Sequence, residues 1–202
     1  MGTPYDEDPL GAYVTHSVLL FDQKVDCMYL TFRAVELALS KTPQEALRLA
    51  LDKRFHSRGI LREGKVANYE DRFEYGEDMI ESGKWGREIT ASLGDTVRIL
   101  GSRGRGSSEI LPIRGLREAM GGLRSGDILF FAKAVEQRAV GELVGHIGFA
   151  RIEEIAGERA VFMIHASGVK KKGGQVKKTP LGDYLATAPF IGVRVTRLSE
   201  SP

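Results

Sequence analysis

The clearest hydrophobic pattern in the first half of the chain predicts an amphipathic helix that begins at Cys27. Apolar residues recur there at positions i, i+4, i+7 and i+11, which are Met28, Phe32, Val35 and Leu39. Asp26, directly before the pattern, is a residue type favoured at helix N-caps. The segment "SKTP" ends the pattern at Pro43, because the residue before a proline is biased away from helical geometry.

A second helix is predicted to follow at once. Thr42 is its N-cap, Pro43 its first residue and Glu45 lies three residues after the cap, and the helix is expected to run to about Gly59. Residues 60–113 show little periodicity. Within them "DTVRILGS" predicts a strand and "SRGRGSS" a flexible loop. The aromatic residues of this region are expected to form a small satellite core: Tyr69, Phe73, Tyr75 and Trp85.

The second half of the chain alternates strands with turn signals. The segments "SGDILFFAK", "ELVGHIGFARIE", "RAVFMIHASG" and "FIGVRVTRL" predict strands, and "TPLGDYLATA" predicts a short helix before the last of them. Helices that precede a meander of strands indicate an α+β fold with a mainly antiparallel sheet.

Two histidines lie on the strands that form the predicted hairpin. If that hairpin turns on Ala156-Gly157, paired residues have numbers that sum to 313, so that His165 opposes Gly148 and His146 opposes Ser167. The two imidazoles are then diagonal neighbours on one face. A slip of one residue would place them on opposite faces.

Composition restricts the class of protein. The 202 residues include 42% hydrophobic and 28% charged residues, which is typical of one globular domain. The net charge is only +2, and no nucleic-acid partner is expected. No apolar run has the length of a membrane span, and the first residues show no secretory signal. The basic segments "SRGRGSSE" and "VKKKGGQVKK" are interpreted first as solvated loops.

Cys27 is the only cysteine of the chain. A lone cysteine is most often a buried apolar residue, and this interpretation stays open at this point. A thiol at a helix N-terminus can instead become a nucleophile, since the helix dipole and a nearby imidazolium favour the thiolate. His146 would accept the thiol proton and return it to the leaving amine, and His165 would orient the His146 ring. No metal-type Cys/His spacing is present and no cofactor is expected.

An ordered set of short motifs resembles the NlpC-type cell-wall cysteine hydrolases, a papain-like superfamily. The motifs are "GTPY", "DC" at a helix start, "GDILFF", "GHIGF" and "IHAS", in the family's order across nearly the whole chain. The resemblance implies a papain-like NlpC-type fold, with N-terminal helices packed on a mainly antiparallel sheet. It also implies a catalytic set of Cys27, His146 and His165, and substrate-binding roles for Tyr5, Asp26 and Ser167.

One departure from the family pattern narrows the expected activity. Family members commonly read Asp-Cys-Ser-Gly, whereas this chain reads Asp26-Cys27-Met28-Tyr29. With the extra region between the cysteine and "SGDILFF", this resembles the branch of N-acetylmuramoyl-L-alanine amidase-like proteins. The implied reaction is hydrolysis of the amide between N-acetylmuramic acid and L-alanine in peptidoglycan fragments, through a thioester acyl-enzyme.

The resemblance also implies a domain organisation and a location. Residues 1–202 are expected to form one NlpC-type domain, with about 60–113 as a family-specific insertion and an N-terminal leader or wall segment missing before "GTPY". The cell envelope is the expected location, periplasmic or secreted. Two alternatives stay open: a γ-D-glutamyl–diamino acid endopeptidase of the same fold, and a non-catalytic peptidoglycan-binding module.

Overall fold

The computed structural model describes residues 1–199, which divide into two compact units. The first unit consists of Met1–Glu74 and His165–Lys177. The second consists of Tyr75–Ile164 and the described residues from Lys178 onward.

The first unit is mainly helical. Its helices are Ala12–Thr15 (α1), Cys27–Ala38 (α2) and Pro43–Lys53 (α3), and its short strands Leu61–Arg62 (β1) and Lys65–Val66 (β2) pair with each other. The predicted caps are confirmed: the Asp26 side chain accepts a hydrogen bond from the Tyr29 N–H, and that of Thr42 accepts one from the Glu45 N–H.

A buried ion pair connects the two longer helices of this unit. The Arg54 guanidinium donates to both carboxylate oxygens of Glu36, at 2.5 and 2.7 Å, and also to the carbonyl oxygen of Leu19. Its guanidinium carbon lies 5.1 Å from the ring centroids of both Tyr29 and Phe32. Because every polar atom involved has a partner, the pair fixes the packing of α2 against the end of α3.

The described residues of the second unit form four α-helices and most of the sheet. The helices are Gly76–Glu81 (α4), Thr90–Leu93 (α5), Ile113–Glu118 (α6) and Leu181–Thr187 (α7). The strands are Arg87–Glu88 (β3), Val97–Leu100 (β4), Ser107–Pro112 (β5), Ile128–Ala132 (β6), Val144–Ile155 (β7), Glu158–Val169 (β8), Gly173–Pro180 (β9) and Gly192–Arg197 (β10). Strands β8 and β9 each contribute residues to both units.

The sheet has the strand order β4-β5-β10-β6-β7-β8-β9, and β3 pairs with β10 at one side. The pairings of β3, β5 and β6 with β10, of β4 with β5, and of β7 with β6 and β8 are antiparallel. The predicted α+β class, with N-terminal helices and a mostly antiparallel sheet, is therefore confirmed. None of the helices formed by residues 1–199 has the length and apolar content needed to cross a lipid bilayer.

The register of the central hairpin agrees with the sequence prediction. Strands β7 and β8 pair from Phe149↔Ile164 to Ile155↔Glu158, and the numbers of every pair sum to 313. The turn residues Ala156 and Gly157 both have positive φ, as a tight connection between two twisted strands requires. On the other side of β7, Phe131 of β6 pairs with His146.

Each unit has its own apolar core. In the second, the fully buried strand β6 packs in a cluster with Leu111, Leu116 and Val193, and the first has a smaller cluster around Phe55 and Leu51. The aromatic residues expected to form one satellite core are divided between the units: Phe73 is buried in the first unit and Trp85 in the second. That expectation was wrong.

Three segments differ from the sequence prediction. The second helix ends at Lys53 rather than near Gly59, and Arg54 turns inward to Glu36. The predicted loop "SRGRGSS" is short, because β5 already begins at Ser107. The basic segment "VKKKGGQVKK" contains the end of β8, the β8–β9 connection and most of β9, and is not only a solvated loop. Its runs of consecutive lysines and its two glycines obscured the strand pattern.

Candidate functional site

Cys27 is the first residue of α2, directly after the N-cap Asp26. The side chain is half-buried, whereas a cysteine that only fills a core is fully enclosed. The backbone N–H groups of the first helical turn and the helix dipole favour negative charge at this position. The helix has 12 residues, and Asp26 already satisfies the Tyr29 N–H at 2.8 Å. This geometry favours a thiolate at Cys27.

The two residues after Cys27 pack into the first unit. Met28 and Tyr29 are buried, and the Tyr29 hydroxyl donates to Asp22 Oδ1 at 2.8 Å and accepts from the Phe21 N–H at 2.5 Å. The departure from Asp-Cys-Ser-Gly therefore has a structural role, since Tyr29 holds the loop that precedes α2.

Tyr5 is held beside the start of α2 by backbone pairing. Its N–H donates to the Gly174 carbonyl at 2.9 Å, and Pro4 and Asp6 exchange backbone hydrogen bonds with Val25 at 3.0 Å. The Tyr5 side chain is buried. Burial raises its pKa far above the ordinary value, and the negative charges of Cys27, Asp26 and Asp6 add to this. The phenol therefore stays protonated, and its O–H is a hydrogen-bond donor near the thiol.

Lys170 provides a positive charge in the same cluster. Its ammonium lies 3.4 Å from Asp26 Oδ2 and 3.2 Å from the carbonyl oxygen of Asp6, and 5.5 Å from the centroid of the Tyr5 ring. Burial raises the pKa of Asp26, and the charge of Lys170 opposes that rise. The sequence analysis missed Lys170, because it placed the residue in a solvated loop.

His165 lies on the part of β8 that belongs to the first unit, and it is almost fully buried. Burial lowers its pKa to about 4, and the charge of Lys177 contributes to the shift. The imidazole is neutral at pH 7, as a residue that orients a partner by hydrogen bonding requires. Ser167 is half-buried on the same strand.

His146 lies in the second unit, half-buried on β7. Its ring centroid is 6.4 Å from that of Phe131, 5.9 Å from that of Tyr184 and 6.4 Å from that of Phe190, and its ring plane lies within 11° of the Phe190 plane. Tyr184 of α7 and Phe190 in the segment after it thus pack around the His146 ring. Sequence analysis did not identify Tyr184 and Phe190, and their only signal was proximity to the last strand.

Glu77 fixes the start of the His146 strand. Its fully buried carboxylate accepts hydrogen bonds from the N–H groups of Leu143 at 3.0 Å and Val144 at 3.1 Å, and from the Ser102 hydroxyl. Val144 is two residues before His146. A charge-assisted anchor of this kind restricts where the histidine backbone can lie.

Comparison with known proteins identifies relatives by structure alone. No protein-family model and no curated protein matches the chain. A crystal structure of an N-acetylmuramoyl-L-alanine amidase from Bacteroides uniformis superposes with a TM-score of 0.71 at 22% identity, over 99% of this chain and 94% of the other. A second crystal structure with the same protein name and organism has a TM-score of 0.66 at 21% identity, again over 99% of this chain and 94% of the other. A Legionella pneumophila protein of family DUF1460 has a TM-score of 0.66 at 17% identity, over 91% of this chain and 79% of the other.

The chain shares the fold of these proteins. At such identities the similarity establishes the fold and leaves activity to be argued from the site. In the site, the first unit brings together Tyr5, Asp26 and Cys27 and also carries His165 and Ser167, while His146 belongs to the second unit. The partnership of Cys27 with His146 remains a prediction. Within residues 1–199, no group of three or more His, Cys, Asp or Glu side chains is arranged to hold a metal ion.

Proposed function

We propose that the protein is a cysteine amidase of the papain-like NlpC type that hydrolyses the amide between N-acetylmuramic acid and L-alanine in muropeptides. The observation that carries this proposal is the position of the sole cysteine. Cys27 is half-buried at the start of a capped 12-residue helix, and its charge acts on the buried Tyr5 phenol. The preceding residue, Asp26, faces the Lys170 ammonium. The fold shared with an N-acetylmuramoyl-L-alanine amidase over 99% of the chain supports the substrate class.

In the proposed reaction Cys27 Sγ attacks the lactyl carbonyl carbon of the muramoyl group. His146 takes the thiol proton and delivers it to the nitrogen of L-alanine, so that the C–N bond breaks and the peptide leaves with a free amine. The muramoyl group remains as a thioester on Cys27. Water, deprotonated by His146, then attacks the thioester and releases the N-acetylmuramic acid carboxylate and the thiol.

The remaining residues assist this reaction. The protonated Tyr5 phenol donates a hydrogen bond toward the oxygen that becomes negative during attack. The neutral His165 imidazole orients His146. The reaction has its substrate in the bacterial cell envelope, and we place the protein there, in the periplasm or outside the cell.

The test uses N-acetylmuramoyl-L-alanyl-D-isoglutamine and a muropeptide that carries a diamino acid. After incubation with the protein, mass spectrometry should find N-acetylmuramic acid and the intact peptide. Release of a fragment cut after the γ-D-glutamyl residue would instead assign the endopeptidase activity. No cleavage of either substrate, while both bind, would assign a non-catalytic binding module. The Cys27→Ala variant is the control for contaminating hydrolases.

A further inference from the structure

Lys170 holds the one carboxylate oxygen of Asp26 that the helix cap leaves available. Asp26 Oδ1 accepts the Tyr29 N–H at 2.8 Å, and Oδ2 faces the Lys170 ammonium at 3.4 Å. The carboxylate is buried, so a cation next to it is worth more than the same pair in water. The ammonium is fixed further by the Asp6 carbonyl and the Tyr5 ring.

The same ammonium lies among the residues that surround the nucleophile. Asp26 immediately precedes Cys27, and the Tyr5 side chain lies 5.5 Å from the Lys170 ammonium and within electrostatic reach of Cys27. The Lys170 side chain is 31% exposed, so it reaches solvent at the site. A positive group of a ligand that enters here meets an occupied carboxylate and a like charge.

We propose that Lys170 determines specificity by excluding ligands that present a free ammonium group beside the scissile amide. A second ammonium group at Asp26 Oδ2 would lie beside the first, and placing like charges together at an interface is unfavourable. Ligands whose nitrogen at this position is acylated, and therefore neutral, are accepted. A muramoyl amide meets this condition, whereas a peptide with a free amino terminus does not. The inference rests on the proposed function, because it takes the substrate to be a muramoyl amide, whose nitrogen at this position is uncharged.

The test compares two small ligands that differ in one charge, L-alanyl-D-isoglutamine and its N-acetylated form. Their dissociation constants are measured by calorimetry on the Cys27→Ala protein, with and without Lys170→Met. Without the substitution, the acetylated form should bind more tightly. Lys170→Met should shift the preference toward the free amine by about tenfold or more, since Asp26 Oδ2 then has no internal cation.

Two further variants serve as matched controls. Lys172→Met removes an exposed positive charge from the same β8–β9 connection and should leave the preference unchanged. Lys170→Arg keeps a cation and should retain the preference for the acetylated ligand. If Lys170→Met fails to fold because the Asp26 charge is left buried alone, the double variant Asp26→Asn/Lys170→Met removes both charges and should bind the two ligands about equally.

An unchanged preference in Lys170→Met, or in the double variant, would overturn the proposal. This readout is binding to a protein that cannot turn over, so it does not depend on the reaction. Failure of the proposed function has a different signature, namely that the wild-type protein does not cleave the muramoyl amide.

Discussion

Gly168 lies against the ring of Tyr5, so closely that a Cβ built on the glycine would be 2.2 Å from Tyr5 Cγ. No side chain fits at this position while Tyr5 keeps its place. Gly168→Ala should therefore displace the Tyr5 ring, destabilise the protein by about 1 to 3 kcal/mol as overpacking does, and lower kcat/KM. Melting curves and kinetics on the muramoyl dipeptide would measure both effects.

The matched control for that substitution is Gly182→Ala in α7. A Cβ there would have no neighbour within 4 Å, and alanine is the better helix former. Wild-type melting and kinetics in Gly168→Ala would show that Tyr5 is not held by contact with the glycine.

Cys27→Ala should abolish hydrolysis and leave the fold intact. Asp26 caps the helix from outside it, and alanine is well tolerated at the first helical position, so the melting temperature should change little. Residual activity equal to that of the wild type on any peptidoglycan substrate would contradict the cysteine mechanism.

The two histidines should differ in the size of their effects. His146→Ala should be nearly as severe as loss of the thiol, because the reaction loses both its proton acceptor and its acid. His165→Ala removes an orienting group and not a reacting one, and should lower kcat by roughly 10²- to 10⁴-fold. Alkylation of Cys27 by iodoacetamide at pH 7 should be slower in His146→Ala than in the wild type. An unchanged rate would show that His146 does not act on the thiol.

The buried His165 should make the protein sensitive to acid. Its pKa is about 4 in the folded chain and about 6.5 in an unfolded one, so the unfolded state binds more protons between these values. The stability that the neutral imidazole allows is complete above about pH 6.5 and is lost as the pH falls toward 4. Urea unfolding from pH 7.5 to 4.5 should show this loss.

The variant His165→Asn should lose less stability over that pH range than the wild type. His16→Asn is the control, because it makes the same substitution at an exposed histidine. Its loss of stability over this pH range should equal that of the wild type. Parallel curves for the wild type and His165→Asn would show that His165 is not the residue responsible.

Glu77→Ala should destabilise the second unit. It leaves the N–H groups of Leu143 and Val144 buried without their acceptor, at a cost of about 3 kcal/mol in the free energy of unfolding. Glu77→Gln keeps one acceptor oxygen and should cost less. Glu81→Ala, an exposed change on the same helix, is the control. If Glu77→Ala and the wild-type protein unfold at the same urea concentration, the hydrogen bonds of Glu77 contribute nothing to stability.

Periodicity predicted the elements whose sequence signals are local. The stripe from Met28 to Val35, the Asp26 cap and the turn at Ala156-Gly157 depend on neighbours within a few residues, and the structure confirms each. Leu39, the predicted end of the stripe, lies just after the helix and is exposed. The position of that turn then gave the correct β7–β8 register, because pairing across a hairpin is counted from its turn. The papain-like assignment and the catalytic partnership of Cys27 with His146 remain predictions.

The elements that were missed depend on contacts between distant parts of the chain. Lys170 gains its place from Asp6 and Asp26, which are 164 and 144 residues away. Tyr184 and Phe190 gain theirs from packing against His146. No local pattern distinguishes a lysine that reaches a buried carboxylate from one that faces water, so side-chain roles of this kind could not be found by spacing.

The pairing of Tyr5 with Gly174 also determines the order in which the thiol environment is completed during synthesis. The two residues are separated by most of the chain, and the first unit includes Met1–Glu74 and His165–Lys177. Contacts of such long sequence separation form late, since the intervening loop must close first. On the ribosome, α2 is made well over a hundred residues before Lys170 and the strand that pairs with Tyr5. A nascent chain therefore carries an immature nucleophile until the segment around Lys170 has been added.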